Sequence, residues 1–171
     1  MVCFLIISVI TALILTFGTS AKSKTDKIKT YPVFIDSKKT VEQMVADGHY
    51  DWSNSNINSS NFFVPNGGQT KSILRLIRFG REITTGEALV ELEQQGFRPA
   101  SLSELLAFGA KFPDLQKKFK VVALGAVWID SNNYSQAAFL GSFGDKRGLG
   151  LSQYRGGYWH AGFRFLAVKK N

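Results

Sequence analysis

Residues 148–168 read GLGLSQYRGGYWHAGFRFLAV, and the rhythm of this stretch decides what kind of fold the chain adopts. Phe163, Phe165 and Ala167 alternate with Arg164, Leu166 and Val168, the period of two expected of a strand. A glycine-rich, nearly acid-free loop at 153–162 separates that run from a shorter apolar one at 148–151. Two short strands framing a loop are expected. The loop crowds Tyr154, Arg155, Tyr158, Trp159 and His160 into seven positions. Rigid rings and arginine dominate binding hot spots because they bury much area at small entropic cost. Those five residues are therefore the candidate ligand contacts, with Ser152 and Gln153 as adaptable hydrogen-bonding neighbours. The alternative is that the rings fold back as the lid of a small core.

Upstream of that loop, residues 121–128 (VVALGAVW) form a continuous apolar run of strand length, expected to be a central strand buried on both faces. Asp130 to Asn133 reads as a turn, and 134–140 as the next strand. Towards the N-terminus, 31–35 alternates as a strand. A helix capped by Asp36 or Ser37 then runs to Asp47, with Val41, Met44 and Val45 on one face and Gly48 as its stop. Residues 62–64 and 72–79 are further strand candidates. Thr84-Thr85-Gly86-Glu87 and Ser101-Leu102-Ser103-Glu104 are both capping boxes, in which a hydroxyl caps a free N–H and the glutamate reaches back. Gly96 and Pro113 end the two helices that follow. The expected class is α+β, a short antiparallel sheet with two to three helices.

The chain has 171 residues, of which 44% are hydrophobic and 20% charged, values that exclude wholesale disorder. Its net charge of +8 favours acidic partners. Part of that excess is local, at Lys22, Lys24, Lys27 and Lys29 and again at Lys117, Lys118 and Lys120. Cys3 is the only cysteine, so residues 31–171 hold no disulfide and no cysteine-based metal or redox site. Residues 2–17 are apolar and uncharged, and Gly18-Thr19-Ser20-Ala21 offers small residues for cleavage. Residues 1–21 are thus a signal peptide or a membrane anchor, 22–30 a basic linker, and 31–171 a single domain. The lysines lie after the apolar run and none precedes it, which for an anchor would place that side in the cytoplasm.

Chemistry is harder to find. His49 and His160 are the only histidines, and no HExxH pair, nucleophile elbow or phosphate loop occurs. His160 has no carboxylate beside it in sequence to orient it as a base. Asp51 and Asp130 could offer oxygens to calcium, but each stands without an acidic partner. No cofactor is expected. Trp128 reads as core, whereas Trp52, in a polar neighbourhood, suits a core lid and a surface contact equally.

Phe97-Arg98-Pro99-Ala100-Ser101-Leu102-Ser103-Glu104-Leu105 resembles the Arg-x-Pro-[Ser/Thr]-x-x-Glu helix start of the formylglycine-generating-enzyme branch of C-type-lectin-like domains. Gly162-Phe163-Arg164 resembles the Gly-Phe-Arg ending of the same branch. The resemblance implies a C-type-lectin-like fold. It implies no oxidase activity, because those enzymes use cysteines and residues 31–171 have none. The Trp-Asn-Asp and Glu-Pro-Asn calcium motifs of sugar-binding lectins are also absent. What it implies instead is the non-catalytic use seen in variable proteins of diversity-generating retroelements, whose variable positions would correspond to 152–161. The chain is also similar to small bacterial proteins that combine Tyr50-Asp51-Trp52 with the 97–105, 122–128 and 163–168 segments, a resemblance that implies no activity. The expected function is a non-catalytic module, displayed outside the cytoplasm or at a membrane, that binds a protein or glycan. The weaker alternatives are nucleic-acid association through Lys117–Lys120, Arg147 and Arg155, and a structural role.

Overall fold

The computed structural model describes residues 29–65, 67–153 and 157–170. The leader, all of the linker before Lys29, and the candidate contacts Tyr154 and Arg155 lie outside the described residues. In chain order the elements are β1 (Tyr31–Asp36), α1 (Val41–Asp47), β2 (Trp52–Ser53), β3 (Gln69–Ile77), β4 (Ile83–Thr84), α2 (Thr85–Gln94) and β5 (Phe97–Pro99). Then follow α3 (Leu102–Lys111), α4 (Pro113–Lys118), β6 (Val121–Ile129), β7 (Ser135–Phe143), β8 (Lys146–Gln153), β9 (Tyr158–Trp159) and β10 (Arg164–Lys169).

The expected α+β class, a short antiparallel sheet with two to three helices, is corrected by this arrangement, which is mostly β. The described residues build ten strands and four short helices, and eight of the strands join one sheet in the order β1-β3-β10-β6-β7-β8-β2, with β5 on β10. The sheet is mixed, since β10 runs parallel to β6 and β2 parallel to β8. Two causes explain the difference. Strands β2, β4, β5 and β9 have two or three residues each, too few to show a period, and they exist because a neighbour completes their backbone hydrogen bonds. Pro113 does not simply end α3 but occupies the first turn of α4, where its missing N–H costs nothing.

Smaller corrections have similar roots. The cap of α1 is Thr40, in a reciprocal box with Gln43, not Asp36 or Ser37. Gly48 stays in the right-handed region, and His49 takes the left-handed conformation at φ 46°. Residues 62–64 form no strand; Phe62 is buried while Phe63 stands in solvent. Both capping boxes predicted at Thr84/Glu87 and Ser101/Glu104 are present.

The last strand lies in the middle of the sheet, and a fork forms beside it. β10 and β6 pair only at Arg164↔Val121 and Phe165↔Val122, and β5 then takes over along β10. Ala100 sits in the fork: its N–H donates to the Leu166 carbonyl at 2.9 Å, and its own carbonyl accepts from Gly125 N–H at 3.1 Å. A Cβ on Gly125 would come within 2.6 Å of that carbonyl oxygen. Glycine is required there, and the β6–β7 register shifts around it between Ala123 and Val127.

From the fork the chain turns straight into α3, and Glu104 secures the turn. Its buried carboxylate accepts two hydrogen bonds from the Arg98 guanidinium at 2.8 and 2.9 Å, one from Ser101 N–H at 2.8 Å and one from the Ser72 hydroxyl at 2.8 Å. Burial pushes the Glu104 pKa up, but the Arg98 pair, the Ser101 amide and the Ser72 hydroxyl outweigh it and hold the group below the ordinary value. β3, β5 and α3 are tied through this one side chain.

Side chains of alternate parity feed two cores. Val121, Ala123, Leu140, Leu149 and Leu166 pack under α1 and α3. Val122, Leu124, Ala137 and Phe165 pack on the other face under Ile83, Ala88 and Trp159, from β4, α2 and β9. On the first face Arg147 works as a polar staple. Its guanidinium donates to the carbonyls of Gly48 and Gly109, both at 2.8 Å, and to Gln116 Oε1 at 3.0 Å. Gln116 in turn donates to the Gly141 carbonyl at 2.8 Å, which docks α4 on β7.

Because the folded Glu104 carboxyl lies below its ordinary value of 4.5, its contribution is complete at neutral pH and fades as pH falls through and below that value. Glu104→Gln should lose about 2 kcal/mol at pH 7, the scale of hydrogen bonds to a charged group. Urea unfolding followed against pH should show the gap between the two proteins closing in acid; a constant gap would refute this account.

Candidate functional site

The second face of the sheet is covered over only half its width. Aromatic rings run along it in a chain of contacts: Phe79 to Phe165 at 4.9 Å between centroids, Phe165 to Trp159 at 6.2 Å, Trp159 to Phe163 at 5.1 Å, and Phe163 to Phe139 at 6.5 Å. α2 and the two-stranded β4–β9 sheet cover the first part of this row. Past Phe139 the face continues over β7, β8 and β2 with no element above it among the described residues.

There the rings rest on glycines. Gly141 pairs with Gly148, and Phe139 with Gly150, so alternation puts Phe139, Gly141 and Phe143 on the same face as Gly148, Gly150 and Ser152. A Cβ on Gly150 would meet the Phe139 ring at 2.7 Å and the Trp52 ring at 3.4 Å, and one on Gly148 would meet Trp52 at 3.3 Å. Trp52 and Phe143 both reach Gly148, yet they remain 52% and 68% exposed. Lys120 runs past Gly141 and holds its ammonium 5.9 Å from the Phe139 centroid and 5.6 Å from that of Phe163. Lys146 pairs with Phe143 at the far end. The product is an aromatic platform on a glycine floor, edged by cations. Its glycines 148 and 150 open the glycine- and aromatic-rich stretch 148–168.

The predicted contacts distribute around this platform unevenly. Ser152 shares its face, and Gln153 ends β8 exposed. Tyr158 is 67% exposed, on the β4–β9 sheet that roofs the adjoining half. Trp159 belongs to the interior instead: it is 3% exposed and its indole N–H donates to the Thr85 hydroxyl at 2.9 Å. A buried indole needs an acceptor for its N–H, and α2 supplies it. His160 is exposed and its Nδ1 lies 2.9 Å from Glu82 Oε1, a carboxylate 78 residues away that sequence proximity could not reveal.

Other candidates are committed elsewhere. Arg147, proposed for nucleic acid, is spent on the internal carbonyls described above. Lys117 pairs with Asp114 within α4 at 3.6 Å. The Asp51 carboxylate accepts the Arg147 amide at 2.7 Å, and Asp130 Oδ1 accepts the amides of Asn132 and Tyr134 within its own turn. Those backbone bonds, Tyr134 first, hold Asp130 below the ordinary aspartate value. Among the described residues no three His, Cys, Asp or Glu side chains converge on a point where a metal could sit. Trp128 is half-buried against the first core.

Sequence reasoning left Phe143 and Phe139 out, and the signal that could have found them is the pairing of a β-hairpin's aromatic strand with a Gly-x-Gly strand. Comparisons with protein families, with curated proteins and with solved structures return no match to this chain. The resemblance to lectin-like domains therefore rests on its two short motifs.

The two neighbours Tyr158 and Trp159 should separate cleanly on substitution. Trp159→Ala opens the second core and should cost about 3–5 kcal/mol. Tyr158→Ala should stay within about 0.5 kcal/mol of the parent. Chemical denaturation of both variants checks the pair, and equal losses would contradict the assignment of sides.

Proposed function

We propose that the protein is a non-catalytic binding module, and that its ligand is a glycan held on the Trp52–Phe143 platform. One observation carries the reading. Trp52 and Phe143 stay in solvent over the same glycines, while Trp159 and Phe165 of the adjoining aromatic row are buried and Phe139 and Phe163 half-buried. Exposed contiguous apolar area of this kind marks an interaction site more often than chance packing. Flat ring faces suit the C–H faces of sugar rings, since both are rigid and lose little entropy on contact. The glycines leave room for the rings, and Ser152 and Lys146 stand on the same face to meet hydroxyl or acidic groups.

Glycan arrays followed by affinity electrophoresis test the proposal. Trp52→Ala and Phe143→Ala should each weaken retention by about tenfold or more, in the range of a lost aromatic hot spot, while the melting temperature moves little. Loss of stability in step with loss of binding, or retention unchanged, would sink it.

Display outside the cytoplasm or at a membrane, through residues 1–21, is the second part of the proposal. Among the described residues no helix is long and apolar enough to cross a membrane, and the apolar run at 2–17 supports assigning the role to residues 1–21. Fractionation of expressing cells should place the full chain in the membrane or exported pool and a chain starting at Lys22 in the cytosol; the same distribution for both would refute it.

A further inference from the structure

Toward the other end of the sheet the register leaves a slot along part of β3. β3 pairs with β1 over Gln69 to Leu74, and with β10 only from Leu74 to Ile77. Past Val168, β10 continues along β5, and Lys170 N–H donates to the Gly96 carbonyl at 2.9 Å. Residues 69–73 therefore have one edge that no described strand pairs. A groove of about 930 Å³ runs along it, lined by Ser72 and Arg98 from the helix side and by Lys71, Ile73, Arg75 and Lys169 from the other. Lining from both faces is what a missing strand would leave.

The charge of the slot is one-sided. Arg98 is matched by Glu104, and Lys170 by Glu93. Arg75 rests over the Phe97 ring at 5.3 Å, and neither Lys71 nor Lys169 has an ion-pair partner among the described residues. Edge lysines discourage casual strand pairing between copies of one chain, and they would repel the lysine-rich segment at 22–29 as well. An acidic strand meets the reverse situation: it satisfies the open backbone groups and the unpaired cations together.

We infer that this slot binds an acidic, extended peptide segment of a partner protein, which adds to the sheet along residues 69–73. Main-chain hydrogen bonds would supply affinity and the cations selectivity, the logic of strand addition at an open edge. This inference is independent of the platform, which lies four strand positions away, about 19 Å at the usual spacing.

A fluorescein-labelled peptide alternating Glu and Val is the probe, titrated against the full chain by anisotropy. Saturable binding is expected, reduced at least about tenfold by Lys71→Glu with Lys169→Glu, because like charges then face each other. Both lysines are exposed and unpaired, so the melting temperature should hold. The same peptide with alternate backbone nitrogens methylated keeps its charge but loses strand pairing, and should also bind at least about tenfold more weakly. Absence of binding, equal binding of the methylated peptide, or tighter binding by an oligothymidylate that displaces the probe would each overturn the inference.

Discussion

The carboxylate of Glu104 lies almost wholly out of water, where a lone charge would cost several kcal/mol. Four donated hydrogen bonds from Arg98, Ser101 and Ser72 answer it, and each donor comes from a place the fold must therefore bring near. Ser72 fixes β3 over the start of α3. Arg98 fixes β5, and with β5 the fork between β10 and β6 into which Ala100 fits. The mixed sheet follows: once β5 occupies the space beside the end of β10, the central strands must splay, and Gly125 must admit the Ala100 carbonyl.

A sheet with two apolar faces needs two covers, and here the second is incomplete. α1, α3 and α4 roof one side, while α2 and the small β4–β9 sheet roof part of the other. The aromatic row on that side is one physical object in two environments. Trp159 and Phe165 are core because something lies above them; Trp52 and Phe143 are surface because nothing described does. Function, on the reading proposed above, begins where the cover ends. The glycines beneath give the rings room to lie against the backbone.

Much of this was legible locally. Both capping boxes, the buried strand at 121–129 and the last strand announce themselves because their signals span only a few consecutive residues. The stops were less legible: Pro113 opens a helix instead of merely closing one, since a proline is equally at home in a first turn. The two-residue strands could not be read at all, because their existence depends on partners such as Gly148 for Trp52 and Ile83 for Trp159. The candidate site divides the same way. An aromatic loop beside a glycine-rich strand was visible in composition, but Phe143, Trp52 and the glycine floor are drawn together only by the β7–β8–β2 register.

The sequence by itself determined the local matters: the helix starts, the strand periods, the absence of cysteine after Cys3, and the density of rings and glycines near the end. These depend on neighbours within a turn or two of chain. Tertiary structure alone decided that the last strand lies at the sheet's centre, that Trp159 faces inward while Trp52 faces out, and that Glu82 meets His160. Those outcomes depend on contacts between segments some 70 to 100 residues apart. A ring or a charge carries no local mark of which side of the sheet will be covered, and so its role is settled by packing.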